Sequence, residues 1–510
     1  MRFLVAAAAA FVAMSPTPAH AGDDDWKRAE SAHFVVYSDG SERQLEAFTR
    51  DLEKFDALLR FWFGKPDRAG QEKLSVYLLD RERKAGELLG SNRVGGFYSA
   101  SPEGTYAVSP RNQRVLFHEY AHHFLFNEFS APVPAWLVEG FAEFMSTVEF
   151  GSDGSWTYGK PAVHRAGQLR YFSDPNIEEL LTDPNRDRTK SSGMYAWAWA
   201  LTHMLYTAPD RGARISAYVD RIAAGEDSLT AARNVFGDLD ALAAELRQHV
   251  KGRVDYAVST EPFPFRDQIE IRPIDGVDGR LIMPRLQWRS WTLNEQAKKR
   301  LGTFAGEGQP DAALLALMAL TQFREAQKAT EKGEGESVPF ATAEATAMRA
   351  LSLDEANVEA NILMGRILTE RLIKDRTSDE EAWKAARRFF QVANRAQPAN
   401  TEALYRFALS YAQEGREGPM MHDAFVAAFT TAPQTPAFRM GLAYDLARLG
   451  RHDDAIALLV PLSNDPHFPQ AGRNAVRRIE AMRASGAKFP PRSSHTGAEG
   501  DADEGDSEED

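Results

Sequence analysis

His118-Glu119-Tyr120-Ala121-His122 is the stretch of the chain that says most about its fold. In an α-helix, residues four positions apart lie about 40° from each other around the axis, so the imidazoles of His118 and His122 can reach one metal ion. Glu119 follows the first histidine directly, where its carboxylate can take a proton from a metal-bound water. His123 points about 100° away from His122 and is expected to pack rather than to bind metal. The H-E-x-x-H spacing therefore predicts a helix that carries two metal ligands and a general base.

A second acidic stretch follows the histidine motif. Residues 136–143 read W-L-V-E-G-F-A-E. Catalytic zinc takes three protein ligands and one open position, and Glu139 would supply an oxygen beside two imidazole nitrogens. Glu143 lies one helical turn later on the same face, where it can accept a hydrogen bond from a ligand histidine. We therefore predict Zn²⁺ as the cofactor, with Glu139 as its third ligand.

These two stretches carry a resemblance to a known family. H-E-Y-A-H at 118–122 and W-L-V-E-G-F-A at 136–142 resemble the motifs of the gluzincin zinc metallopeptidases, and the layout is most similar to the small domains called peptidase MA-like. The specific part of the likeness is residues 115–147. The resemblance implies an α+β zincin-like fold, hydrolysis of peptide bonds, Zn²⁺ as cofactor, and a protein or peptide as substrate.

The same resemblance implies a donor for the oxyanion of the tetrahedral intermediate. Gluzincins use a tyrosine or histidine from a later helix. A helical pattern after residue 193 places Tyr195 and His203 on one face, and Tyr195 is the preferred candidate. Tyr158, Tyr171 and His203 remain alternatives, and a purely aromatic core face is a further interpretation of this helix.

Strand patterns precede the motif helix. Residues 32–38 and 74–79 have the pattern of strands, and residues 41–61 between them carry apolar side chains at helical spacing. Residues 95–99 and 105–108 can pair around the turn at 101–104. In zincins an edge strand beside the cleft pairs with extended substrate, and either strand of this hairpin could be that edge.

Proline and serine mark the ends of the motif helix. Ser109-Pro110 predicts its start, with serine as the N-cap and proline at the first helical position. We expect the helix to end near Phe129, because Pro132 and Pro134 cannot continue it. A second helix is predicted over 135–147. Further helical patterns cover 161–173, 193–207 and 213–250.

From about residue 308 the pattern changes to alanine-rich helices in pairs. Gly365, Ala408 and Ala443 occupy matching small-residue positions, 43 and 35 residues apart. Paired helices with a period near 34 resemble tetratricopeptide repeats, with one insertion near 371–379. The resemblance implies an all-α solenoid with a concave surface for a protein partner. A generic helical array is the other interpretation.

At 510 residues the chain is too long for one ordinary core. We predict five segments from the motifs and the changes in composition. They are a signal peptide at 1–21, a gluzincin-like peptidase domain at 22–255, a proline-containing linker at 256–307, a tetratricopeptide-like domain at 308–487, and an acidic disordered tail at 488–510.

The N-terminus has the pattern of a secretory signal. Arg2 precedes an apolar run at 3–14, and Ala19-His20-Ala21 matches a cleavage site. The chain has no cysteine, so a metal must be bound through nitrogen and oxygen, and a large disulfide-free exported protein suits the periplasm of a Gram-negative bacterium. We predict an exported protein, periplasmic or secreted. No later segment has some 18 consecutive apolar residues, so no stable membrane insertion is expected.

Charge excludes one class of partner. The formal net charge is −13, and eight of these negative charges lie at 499–510. Lysine and arginine are not clustered, so no nucleic-acid partner is expected.

Three functions fit the sequence. The preferred hypothesis is an exported zinc metallopeptidase, an endopeptidase because no G-x-M-E-N exopeptidase signature is present, with repeats that recruit a protein or peptide. The alternative is a periplasmic scaffold in which the repeats bind a partner and the peptidase domain is vestigial. A zinc hydrolase acting on a non-peptide amide, such as a cell-wall cross-link, is the third. The oligomeric state stays open.

Overall fold

A computed structural model gives the structure of most of the chain. It describes residues 26–79, 88, 95–169, 175–182, 193–208, 212–252, 254–274, 277–290, 295–308, 310–333, 340–463 and 469–488. Within these ranges the protein is α+β, with a mixed sheet among helices in the N-terminal half and a helical C-terminal region. The predicted signal peptide at 1–21 and all but the first residue of the acidic tail lie outside the described residues.

The described strands form two sheets. They are β1 (Lys27–Glu30), β2 (Phe34–Ser38), β3 (Leu74–Leu79), β4 (Phe97–Ser101), β5 (Gly104–Pro110), β6 (Glu149–Phe150), β7 (Trp156–Tyr158), β8 (Ala257–Ser259) and β9 (Glu270–Pro273). The main sheet has the order β4-β5-β3-β2-β1-β9, and the small sheet the order β6-β7-β8. In the main sheet β3 runs parallel to β2 and to β5, and the other pairs are antiparallel. Among the described residues, β4 is therefore one edge of the main sheet.

Alternation along the strands gives the main sheet two apolar faces. Val36 and Val76 point to one face, where they join the largest hydrophobic core. Tyr77, Tyr106 and Val108 point to the other face and form a separate core. Because side chains alternate with a period of two, the same strands can be buried on both sides.

Two long helices cover the first face. Helix α1 (Glu42–Phe63) begins after Ser41, whose hydroxyl accepts a hydrogen bond from the Gln44 backbone N–H. Helix α2 (Gln113–Glu128) carries the histidine motif. Both helices supply apolar side chains to the same core as Val36 and Val76.

The predicted start of the motif helix was wrong. Ser109 and Pro110 belong to β5, where they pair with Leu78 and Leu79 of β3. Asn112 is the N-cap instead, and its side chain accepts a hydrogen bond from the Arg114 backbone N–H. Pairing with the buried strand β3 overrides the local preference of Ser-Pro for a helix start, and Pro110 is the last residue of β5, beyond the pairs with β4 that end at Val108.

In the described part of the N-terminal half, seven more helices follow. They are α3 (Ala135–Met145), α4 (Val163–Gln168), α5 (Ile177–Leu181), α6 (Met194–Thr207), α7 (Gly212–Ala223), α8 (Ser228–Phe236) and α9 (Leu239–Lys251). The pattern at 213–250 is thus three helices, with breaks at Gly225 and Gly237, both of which have positive φ. The pattern at 161–173 gives only α4, and residues 170–174 lie outside the described residues.

Residues 256–307 were expected to be a linker, but their described part contains two strands and two helices. Strand β8 pairs with β7, and β9 joins the main sheet beside β1. Helix α10 (Val277–Arg289) covers the second face of the sheet, where Ile282 and Leu286 pack in the core of Tyr77 and Tyr106. Helix α11 (Glu295–Gly306) follows. The segment therefore ties the two halves of the chain together.

The C-terminal region is an array of antiparallel neighbours in chain order. Its helices are α12 (Ala312–Glu331), α13 (Ala341–Leu353), α14 (Val358–Lys374), α15 (Glu380–Ala396), α16 (Thr401–Glu414), α17 (Pro419–Thr431), α18 (Pro436–Arg448), α19 (His452–Ser463) and α20 (Pro469–Ser485). Each helix packs on the next, and α12, α14, α16 and α18, the first helices of successive pairs, also pack on one another.

The small residues found in the sequence occupy matching places in this array. Gly365, Ala408 and Ala443 are each the eighth residue of a first helix. Ala408 and Ala443 are fully buried, and a Cβ on Gly365 would lie 2.5 Å from the ring of Phe390 on the paired helix α15. The extra residues of the longer repeat lengthen α14 and α15 instead of forming a separate insertion. In the described part of the chain, no helix has the length and apolarity needed to cross a bilayer.

Candidate metal centre

Two helices bring the predicted metal ligands together. His118 and His122 lie one turn apart on α2, and Glu139 lies on α3. The Nε2 atoms of the two histidines are 3.1 Å apart. Glu139 Oε2 lies 3.7 Å from His118 Nε2 and 3.6 Å from His122 Nε2. In the described part of the chain, this is the one group of three histidine, cysteine, aspartate or glutamate side chains whose ligand atoms all lie within 4.8 Å of one another.

The three separations fit a zinc ion. Zinc bonds to nitrogen and oxygen are about 2.0–2.2 Å long, so tetrahedral angles place neighbouring ligand atoms about 3.3 Å apart. The observed separations of 3.1, 3.6 and 3.7 Å lie on both sides of that value. Two imidazoles and one carboxylate are a donor set of catalytic zinc, and they leave the fourth position open.

Helix α2 is fixed in its orientation by contacts with α1. The Tyr120 hydroxyl donates a hydrogen bond to Asp56 Oδ1 at 2.6 Å. Phe117 stacks on Phe55, with ring centroids 4.0 Å apart. These contacts turn one side of α2 toward α1 and leave the two motif histidines facing α3.

Glu143 lies beside the ring of a ligand histidine, as the helical spacing predicts. Its Oε1 is 3.6 Å from His118 Nδ1, the nitrogen that does not face Glu139. Arg165 donates two hydrogen bonds to the same oxygen, at 2.8 and 2.6 Å, and His164 Nε2 lies 3.1 Å from Oε2. Burial opposes ionisation of Glu143, but the His164 hydrogen bond and the charges of His118 and Arg165 outweigh it and lower the pKa to about 2. Glu143 is therefore a fixed anion that can orient the His118 ring.

The sequence motifs did not identify His164 and Arg165 as site residues. Both lie on α4, more than 20 residues after Glu143 and outside either motif. Helix α4 is short and its apolar residues show little helical spacing. No sequence motif therefore singles out the histidine-arginine pair at its start. Only the packing of α4 against α6 brings the pair to the metal centre.

Glu119 lies between the metal centre and the edge strand. The backbone N–H of Tyr98, on β4, donates a hydrogen bond to its carboxylate. Burial, reinforced by the negative charge of Glu143, raises the pKa of Glu119 to about 8, and the Tyr98 hydrogen bond opposes this shift. Glu119 is thus a half-buried carboxyl with raised basicity, which suits a group that accepts a proton near neutral pH.

The candidate oxyanion donors lie against different parts of the structure. Tyr195, at the start of α6, has its ring 5.0 Å below the Arg165 guanidinium, which in turn binds Glu143. Tyr158 and His203 both pack on Phe144, and His203 Nε2 also lies 2.8 Å from the Gly159 carbonyl oxygen. Tyr171 lies outside the described residues.

His123 packs away from the metal ligands, as expected from its position on the helix. Its Nδ1 lies 3.2 Å from the Tyr98 hydroxyl, and its ring lies 5.5 Å from the ring of Tyr120. Burial, with the nearby charges of Arg60 and His33, lowers the pKa of His123 to about 3, so the ring is neutral.

Comparison with known proteins found no match. No protein-family model matches the chain, and neither a curated protein nor a solved structure matches it. The chemistry open to the protein must therefore follow from its own residues and their geometry.

Proposed function

We propose that the protein is a zinc-dependent peptidase of the gluzincin type, with a zincin-like N-terminal half and a tetratricopeptide-like C-terminal array. The observation that carries the proposal is the convergence of two histidine nitrogens and one glutamate oxygen at 3.1–3.7 Å from one another. A peptidase of this class also needs a base beside the ligands, and Glu119 is the residue that follows the first ligand histidine.

Each residue of the centre has a role in peptide hydrolysis. When bound, Zn²⁺ supplies Lewis acidity, which polarises a carbonyl and lowers the pKa of water. Glu119 takes a proton from the attacking water and passes it to the leaving amine. Glu143 holds the orientation of His118, and Tyr195 is the candidate donor to the oxyanion.

The edge strand supplies a place for the substrate backbone. Strand β4 pairs with β5 on one side, and Tyr98 on β4 reaches Glu119. An extended peptide that added to an edge strand here would be held by backbone hydrogen bonds with its scissile bond near Glu119. We therefore propose an endopeptidase acting on extended segments of a protein or peptide. Export to the periplasm stays a prediction from the first 21 residues of the sequence.

Metal analysis with two variants tests the function. The purified wild-type protein should bind one equivalent of zinc and cleave a broad library of quenched fluorogenic peptides. His118→Ala should lose both zinc and cleavage, because it removes one of three ligands. Glu119→Gln should keep zinc but lose at least about 100-fold in kcat, the low end of a general-base contribution. His452→Ala, on α19 in the array, is the matched control and should behave as wild type.

Two results would reject the proposal. A wild-type protein that binds no zinc has no such centre, and a Glu119→Gln variant that cleaves as fast as wild type has a different base. Zinc binding without any cleavage would favour the scaffold alternative, in which the array binds a partner and the peptidase domain is vestigial.

A further inference from the structure

The helical array packs against the main sheet and the helices that cover it, and its first helices supply most of the polar contacts. On α14, Glu359 pairs with Arg285 of α10 at 2.9 Å. Just before α18, the Gln434 side chain donates a hydrogen bond to the Thr105 hydroxyl of β5 at 3.0 Å. At the start of α18, Arg439 donates to the Phe126 carbonyl oxygen of α2. The first helices of the array are therefore held against the sheet and the helices that cover it.

The turn between β4 and β5 is held by charge on this side of the array. Glu103, at the turn, lies 3.3 Å from Arg406 of α16 and 3.5 Å from Arg366 of α14. Glu402, one helical turn before Arg406, completes the group, which we call the Glu103 cluster. The Arg406 side chain is 6% exposed and that of Arg366 10%, so these arginines are not solvated surface charges.

The Glu103 cluster is one short strand away from the metal centre. Strand β4 runs from the turn to Tyr98, whose backbone N–H binds Glu119. Helix α18 also packs against β4. The array also holds the chain just before β3, because the Glu72 backbone N–H donates a hydrogen bond to the Thr431 carbonyl oxygen of α17 at 3.0 Å. A displacement of the turn would therefore displace the strand that contacts Glu119.

We propose that Glu103, paired with Arg366 and Arg406, is a positioning residue through which the helical array fixes β4 beside Glu119. The effect on catalysis rests on the peptidase function proposed above. The array would then act on the active site of its own chain.

Two single variants and their double test the proposal kinetically. Glu103→Gln keeps the shape of the side chain and removes its charge, and Arg406→Met removes one partner. Each should lower kcat for a fluorogenic peptide about tenfold with KM changed less than about twofold, because a small displacement beside the base slows the chemical step. The double variant should be no slower than the slower single variant, since both single variants already remove the Glu103–Arg406 pair. Glu344→Gln is the matched control, because its 2.6 Å pair with Arg371 lies within the array and does not touch β4.

Hydrogen exchange tests the same point without any substrate. In Glu103→Gln the backbone amides of residues 97–101 should exchange about tenfold faster than in wild type, while Glu344→Gln leaves them unchanged. Unchanged exchange in Glu103→Gln would overturn the proposal, and so would faster exchange with an unchanged kcat. If the wild-type protein cleaves no peptide, the peptidase function fails, and the exchange result alone decides whether Glu103 fixes β4.

Discussion

Glu139 and Glu143 lie one helical turn apart on α3 and have different partners. Glu139 faces the Nε2 atoms of both motif histidines. Glu143 faces the other nitrogen of His118 and forms an ion pair with Arg165. The geometry of one helix face therefore separates a candidate ligand from a carboxylate that orients a ligand. At the scale of single residues, charge pairing decides which role each acid can take.

Glu72, where the array meets β3, gives a prediction about pH. Burial raises its pKa from 4.5 to about 7, against the opposing effects of the Thr105 hydroxyl and Arg289. The folded state therefore favours the neutral acid, and stability is fully present below pH 4.5 and is lost as pH rises to about 7. Glu72→Gln mimics the neutral form, so it should be more stable than wild type by up to about 3 kcal/mol at pH 8 and by much less at pH 5.

Urea unfolding of wild type and variant at pH 5 and pH 8 measures this difference. The control is Glu270→Gln, at an exposed position on β9, which should show the same small difference at both pH values. An equal stability difference between wild type and Glu72→Gln at the two pH values would contradict the buried, neutral state of Glu72.

At the scale of elements, the position of Glu139, the third candidate ligand, depends on how closely α3 approaches α6. Gly140, next to Glu139, packs directly on the α6 backbone. A Cβ at this position would lie 2.5 Å from the Ala198 carbonyl oxygen and would also collide with the Thr202 hydroxyl. The glycine of the W-L-V-E-G-F-A stretch is therefore required by helix packing, independently of any role in chemistry.

Gly140→Ala should push α3 away from α6. Overpacking of this kind costs about 1–3 kcal/mol of stability, and it should also lower zinc occupancy because Glu139 moves with the helix. Thermal unfolding and metal analysis measure the two effects. Gly302→Ala, on α11 with nothing within 4 Å of the added Cβ, is the control and should leave zinc unchanged while stabilising the protein slightly. Full stability and full zinc content in Gly140→Ala would show that α3 does not depend on this contact.

At the scale of the whole molecule, the two halves share structure. Strand β9 completes the main sheet, α10 covers its second face, and the Glu103 cluster joins the sheet to the array. Together these contacts make the helical array part of the same folded unit as the metal centre.

Removal of zinc should therefore destabilise the array as well as the metal centre. A ligand present at 100 times its dissociation constant stabilises the folded state by about 2.7 kcal/mol, so a chelator should lower the unfolding temperature. Circular dichroism at 222 nm reports the helices of both halves, and fluorescence reports mainly the tryptophans of the N-terminal half. Both signals should shift together on chelation in wild type, each as a single transition, and neither should shift in His118→Ala. A circular dichroism curve that splits into two transitions on chelation would mean that the halves unfold independently.

Local sequence patterns determined most of the elements around the site. The bounds of β3 and the position of α1 follow from side-chain alternation and helical spacing, and the placement of His118 with His122 and of Glu139 with Glu143 on one helix face follows from helix geometry. These are short-range effects, which depend on a few neighbouring residues. The bounds of the motif helix did not follow in the same way, because pairing of Ser109 and Pro110 with β3 is a long-range contact.

Only the tertiary structure decided which distant residues meet. It brought Arg165 and His164 to Glu143, the Tyr98 N–H to Glu119, and two arginines of the array to Glu103. It also made residues 256–307 part of the sheet and its cover, although their prolines suggested a linker. Sequence patterns report the preferences of residues close in the chain, whereas these contacts depend on how whole helices and strands pack, which no single stretch encodes.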